Sequence, residues 1–150
     1  MFVSTNLTKI NIEIDLLKQL FTEYSLLLEL AKTKIPDKIE TAALGTVLHS
    51  FYNGVENILK FIIQEHNEKF VEGSNWHVEL LEKVVISTDK RTAVISRELQ
   101  SKLIEYMKFR HAFRHTYGFQ LKWERMESLV VNLESVANEF IESINQFINK

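Results

Sequence analysis

Residues Asp37 to Ile63 read DKIETAALGTVLHSFYNGVENILKFII. Ala43, Val47, Phe51, Val55, Ile58, Leu59 and Ile62 recur at three- and four-residue steps, the period of a helix with one apolar face. Asp37 follows Pro36, where an acidic side chain can cap a helix start. Pro36, the only proline, separates this stretch from an earlier one. From about Leu7 to Lys32, the residues Leu7, Ile10, Ile14, Leu17, Phe21 and Leu28 share a helical stripe, widened by Leu20, Tyr24 and Leu27. Ile10, Ile12, Ile14 and Leu16 also alternate as a strand would, but no partner strand is visible elsewhere.

The pattern continues outward. Gly73 breaks it, and Ser74 or Asn75 can cap a short helix through Leu80, Leu81 and Val84. A loop near Ser87 to Arg91 follows. Ser96 opens a fourth helix with Leu99, Leu103, Tyr106 and Met107, and Gly118 stands where a left-handed cap would close it. The last helix runs from about Leu121 to Phe147, with Met126, Leu129, Leu133, Val136, Phe140, Ile144 and Phe147 on its stripe. There is no internal repeat, linker or low-complexity tract. The expectation is one all-α domain over residues 1–150, an up-and-down bundle of about five helices.

Composition narrows the function. The longest apolar run, Leu26-Leu27-Leu28, is far short of the roughly 18 residues a membrane span requires. No basic and apolar leader follows Met1, so a cytoplasmic location is expected. The chain has no cysteine, which excludes disulfides, thiol catalysis and cysteine-ligated metals. Charge is unevenly spread. Lys90, Arg91, Arg97, Lys102, Lys108, Arg110 and Arg114 face only Glu98 and Glu105 between Lys90 and His115, a segment of +5 in a chain of −2. Such a strip is either the footprint of a polyanion or a solvated face balancing acidic neighbours.

Within it, Phe109-Arg110-His111-Ala112-Phe113-Arg114-His115-Thr116-Tyr117-Gly118 carries the chemistry. On a continuous helix Arg110, Arg114 and Tyr117 share one face, His111 and His115 the adjoining one, and Phe109 and Phe113 an apolar one. Three readings compete. The arginines pair with carboxylates and the histidines sit at a helix end that favours cations. Alternatively His111 and His115 bind a metal, although Ala112 stands where an HExxH site has glutamate and no third ligand is near. Or histidine moves a proton and arginine grips a phosphate, which suffices to cleave RNA through its own 2′-hydroxyl.

Arg110-x4-His115-x-Tyr117 resembles the Arg-x4-His-x-Tyr motif of HepT-type toxins, a branch of the HEPN ribonuclease superfamily. Phe51-Tyr52-Asn53-Gly54-Val55-Glu56 resembles the family's second helix, Trp76-His77 with Leu80-Leu81 its third, and Trp123 onward its last, so roughly Thr46 to Phe140 is covered. The resemblance implies a metal-independent endoribonuclease that works as a C2 homodimer and takes no cofactor. Arg110 and His115 would be catalytic, the histidines of two protomers serving as base and acid and Arg110 stabilising the phosphorane. Lys108 and Arg114 would hold neighbouring phosphates, and His111 would orient Arg110 or contact RNA. Glu56 either braces Arg110 or is a surface glutamate; His77 reads as a polar residue in the first turn of a short helix. Tyr117 would accept AMP from a cognate antitoxin, an MntA-type minimal nucleotidyltransferase. Messenger and transfer RNA are both open as substrates. A catalytically silent HEPN partner of a nucleotidyltransferase, and a helical interaction module with no role on nucleic acid, are the alternatives.

Overall fold

The computed structural model describes residues 4–68, 73 and 75–150, and among them the chain is helical with no strand. The helices are α1 (Ser4–Glu23), α2 (Ser25–Thr33), α3 (Lys38–Glu65), α4 (Trp76–Lys83), α5 (Arg97–Arg114), α6 (Trp123–Val131) and α7 (Leu133–Ile148), with a 3₁₀ turn at Gly118–Gln120. The count is seven, not about five, because two of the expected long helices are bent. In the first, Thr22 Oγ1 donates back to the Lys18 carbonyl, and Tyr24 separates α1 from α2 at φ −107°, ψ 17°. In the last, Asn132 Nδ2 donates to the Ser128 carbonyl, which also accepts from its own backbone N–H. Side chains that bond back one turn compete with the helix ladder and bend it.

α3 is the axis of the bundle. Asp37 and Glu40 form a reciprocal cap: Glu40 N donates to Asp37 Oδ1 at 2.8 Å and Asp37 N to Glu40 Oε1 at 2.9 Å. Its far end closes in a left-handed turn at Asn67, φ 51°, with Asn67 N donating to the Gln64 carbonyl and Glu68 N to the Ile63 carbonyl. The stop therefore comes at an asparagine, before Gly73; Ser74 lies outside the described residues.

Between these ends α3 buries Leu44, Val47, Leu48, Phe51, Tyr52, Val55, Ile58, Leu59, Ile62 and Ile63. Ile10, Ile14 and Leu17 of α1 cover one side, while Ile12 and Leu16 stay half exposed, as a helical stripe demands and a strand would not. α5 packs on another side and α7 closes the core with Leu133, Val136, Phe140 and Ile144. Gly54 permits the α1 approach, since a Cβ there would lie 2.6 Å from Leu17 Cδ2.

The segment between α4 and α5 is built around Arg91. Its guanidinium donates to both oxygens of Glu68 and to the carbonyls of Lys83, Ile86 and Thr92, at 2.5 to 3.2 Å. Val94 N then bonds the Val84 carbonyl, and Ser96 Oγ accepts from Leu99 N at 3.0 Å to start α5. Arg91 is thus a structural residue, not part of a basic surface.

Candidate active site

α5 is laid down so that its last two turns face α3 and α4. Leu99, Leu103 and Tyr106 anchor the first part in the core, and the half-buried Phe113 holds the end against α3. Phe113 stacks near His49, centroids 5.2 Å apart, and lies over Gly45, where a Cβ would sit 2.9 Å from its ring and 2.8 Å from Leu121. With Phe113 turned inward, Arg110 one turn earlier is turned inward too.

Arg110 is 3% exposed. Its Nη1 donates to Glu56 Oε1 at 2.6 Å and to Asn53 Oδ1 at 2.9 Å, both on α3. Its guanidinium carbon lies 4.9 Å from the centre of the Tyr52 ring. From α4, His77 Nδ1 stands 2.5 Å from Glu56 Oε2 and 2.8 Å from Arg110 Nη2. A single ring nitrogen cannot donate to the first and accept from the second at once. With Glu56 as a carboxylate, donation to Glu56 is the balanced arrangement. Glu56 then bridges the arginine and the imidazole with both oxygens. Arg110 then retains three N–H groups, one on Nε and two on Nη2, with no acceptor among the described residues.

Asn53 and Glu56 are one helical turn apart on α3, so one face supplies both braces. Of the two sequence readings of Glu56, the brace is the observed one: it is buried at 3% exposure. His77 is the first-turn residue expected, but its ring touches the arginine rather than solvent alone. Asn53 was the missing member; its position three residues before Glu56 in the quoted second-helix stretch is the signal that could have found it.

A cleft of about 300 Å³ opens beside this cluster, lined by Asn75, His77, Val78, Met107, Lys108, Arg110, His111 and Arg114. It gathers four of the residues singled out in the sequence. Lys108 pairs with Glu105 at 3.4 Å, both exposed, a contact worth little to stability and easily exchanged for a phosphate. Arg114 is exposed and has no ion pair among the described residues. His115 is not in the lining. It is the cap residue that ends α5, exposed, with its ring 5.1 Å from that of His111 in an edge-to-face contact. His111 thus joins the cleft to His115 at its rim.

Two expectations are corrected here, and the open question of the basic strip is decided. Tyr117 does not share a helix face with Arg110 and Arg114, because α5 ends at Arg114 and Tyr117 precedes the 3₁₀ turn in extended conformation, φ −70°, ψ 143°. Gly118 is not a left-handed cap; no described glycine has positive φ. It begins the 3₁₀ turn instead. The +5 strip is mostly neutralised: Arg91 pairs with Glu68, Arg97 with Glu82, Lys102 with Glu139, Lys108 with Glu105 and Arg110 with Glu56. The reading of a face balancing acidic neighbours holds for most of it, and Lys90 and Arg114 are the exceptions among the described residues.

His49, which faces this region from α3, is held below the ordinary histidine value by burial and then by the charges of Arg114 and Arg110. Burial drives the Tyr52 phenol well above its usual range, and its hydroxyl has no hydrogen-bond partner among the described residues. Among the described residues no three His, Asp or Glu side chains come together as a metal site, and no helix is long and apolar enough to cross a membrane.

The geometry defines a class: an all-helical protein with an arginine fixed in the core and histidines at the adjoining helix end. A family model described as HepT-like protein matches residues 43–150, from the first turns of α3 to the last residue. The chain belongs to this HepT-like family, of HEPN type, whose theme is the toxin–antitoxin system. Searches of curated proteins and of solved structures return no match.

Proposed function

We propose that this chain is the toxin of a toxin–antitoxin pair and a metal-independent endoribonuclease. The observation that carries the reading is the Arg110 cluster: a guanidinium aimed by Glu56, Asn53 and His77 into a cleft that also holds Lys108, His111 and Arg114, with His115 at its rim. A fixed donor at the place where charge develops costs no reorganisation during reaction. A second copy of the chain, related by a two-fold axis, would bring a second His115 to the same cleft.

The chemistry then balances. One His115 takes the proton from the RNA 2′-hydroxyl, and O2′ attacks phosphorus. The bond from phosphorus to O5′ breaks, and the other His115 delivers a proton to O5′. The products carry a 2′,3′-cyclic phosphate and a 5′-hydroxyl. The free N–H groups of Arg110 face the phosphorane, while Lys108 and Arg114 hold neighbouring phosphates and His111 links the two histidine-bearing ends. The cognate nucleotidyltransferase would silence the enzyme by attaching AMP to Tyr117, which is 72% exposed and open to a second protein.

A second reading, a silent HEPN protein that only presents itself to the nucleotidyltransferase, draws on the same cluster. Arg110 is nearly inaccessible and its Nη1 is fully occupied, as in a purely structural ion pair. One experiment separates them. Purified protein is incubated with single-stranded RNA in excess EDTA, beside His115→Ala. The ribonuclease reading expects cleavage ending in a cyclic phosphate, and a loss of about 10²-fold or more in His115→Ala with the fold kept. Wild-type protein that binds the nucleotidyltransferase but leaves RNA intact establishes the silent partner.

A further inference from the structure

Tyr117 and Phe119 stand one after the other beyond the end of α5, with ring centroids 5.6 Å apart and planes only 8° from parallel. They are 72% and 67% exposed. Aromatic rings of this size usually bury their faces, and two of them stacked in solvent forgo that gain. The pair does not ride on a loose tail. Gln120 N donates to the Tyr117 carbonyl at 2.9 Å, Leu121 N to the Gly118 carbonyl at 3.2 Å, and Tyr117 N to Gln120 Oε1 at 3.2 Å. Leu121 in turn is seated on Gly45 of α3. The rings are thus a fixed surface whose outer faces are open.

The surroundings say what such a surface suits. From Tyr106 to Trp123 the chain contains no Asp or Glu, and it carries Lys108, Arg110, Arg114 and Lys122 with His111 and His115. Arg114, His115 and Lys122 are exposed, as are Gly118 between the two rings and the polar Gln120 after them. An obligate protein interface has an apolar centre with charges kept to the rim. Here the apolar element is two exposed rings with Arg114 and Lys122 on either side along the chain. Aromatic faces interleaved with cations are how single-stranded nucleic acid is held, the bases stacking while the cations follow the phosphates.

We propose that Tyr117 and Phe119 form a stacking platform that seats an unpaired nucleobase of RNA next to His115. The proposal deepens the ribonuclease reading and rests on it, because it names the state of the substrate. A base inside a duplex has both faces covered by its neighbours and cannot stack on the platform. The preferred substrate is therefore single-stranded RNA, and the preference is tolerant of base identity because every base offers a π-face.

The test uses the full chain and a fluorescein-labelled mixed-sequence RNA of twelve nucleotides, 2′-O-methylated so that it lacks the attacking hydroxyl. Its complement supplies the duplex, and cleavage is read separately on the same strand without the methyl groups. Affinity is read by anisotropy for wild type, Phe119→Ala and Phe119→Trp, with light scattering on each. Phe119→Ala should bind the single strand about 5- to 150-fold more weakly, the range that one lost base stack represents. Phe119→Trp should stay within about threefold of wild type, since a larger ring still stacks. Wild type should favour the single strand over the duplex. Phe119→Ala binding as tightly as wild type, while wild type binds and cleaves RNA, overturns the platform alone. A fall in affinity accompanied by dissociation of a dimer overturns it too, and assigns the rings to a protein interface. Wild-type protein that neither binds nor cleaves RNA removes the ribonuclease reading itself.

Discussion

Glu56→Gln isolates the charge that aims Arg110. The substitution keeps the shape and one acceptor oxygen and deletes the negative charge. In the native protein both carboxylate oxygens are engaged, with Arg110 Nη1 at 2.6 Å and His77 Nδ1 at 2.5 Å, and the two paired side chains are 5% and 3% exposed. An ion pair in water is worth about 0–1 kcal/mol. A buried one is different: removing one partner leaves a desolvated charge, at about 3–5 kcal/mol. Asn53 still accepts from Arg110 at 2.9 Å, so the lower end applies, about 3 kcal/mol. In a chain of this size each kcal/mol moves the melting temperature by about 2–4 °C, so the midpoint should drop by roughly 6–12 °C.

The double replacement Glu56→Leu with Arg110→Met supplies the control. It removes the pair without stranding either charge, and such swaps are often neutral or stabilising. Each single change should therefore cost several kcal/mol and the pair of changes about 1 kcal/mol or less, a strongly non-additive cycle. Urea and thermal unfolding followed by circular dichroism measure the four proteins of this cycle and Glu56→Gln. A Glu56→Gln midpoint within about 2 °C of wild type, or a double variant that loses the sum of the singles, would falsify the claim that the cluster is a desolvated ion pair.

Two further outcomes follow, from Arg91 and from the half-buried His49. Arg91→Lys should cost about 3 kcal/mol or more, because an ammonium cannot reach Glu68 and the carbonyls of Lys83, Ile86 and Thr92 together; urea unfolding with an unchanged midpoint would refute that role. His49, whose pKa is lowered in the fold, contributes stability that is complete above the unfolded value of about 6.5 and is lost as pH falls below it, so the melting temperature of His49→Gln should fall less than that of wild type between about pH 7 and 5, and parallel curves would exclude the effect.

The helical class, the cap at Asp37, the start of α5 at Ser96 and the buried stripes of α1, α3 and α7 were legible because each depends on spacing along one helix. The breaks at Tyr24 and Asn132 were not, because the apolar period runs through them without interruption. The motif residues were visible as types, but their division was hidden. Arg110 points to α3 and His115 ends the helix, and that separation is set by Phe113 packing over Gly45, a contact between residues 68 positions apart. Which of the two readings of the basic strip holds was hidden for the same reason. Its carboxylate partners Glu56, Glu68, Glu82 and Glu139 lie on other elements, where a count along the strip cannot see them.

Tyr117 carries two proposed roles, and one substitution divides them. As a ring it contributes to the exposed stack with Phe119; as a phenol it would accept AMP from the nucleotidyltransferase. Tyr117→Phe keeps the ring and removes only the acceptor oxygen. Because the side chain is 72% exposed, the hydroxyl holds nothing in the core and the variant should fold as wild type does. It should retain at least part of the ribonuclease activity and remain toxic when the nucleotidyltransferase is co-expressed, whereas wild type is silenced. Silencing has a physical cause in this geometry: an attached AMP places a phosphate charge against the cations that would hold RNA and an adenine within reach of the platform. Intact mass reads the outcome directly, with whole AMP increments on wild type and none on the variant. If Tyr117→Phe is neutralised as efficiently as wild type, or AMP is found on another residue, Tyr117 is not the site of control and its exposure serves the stack alone.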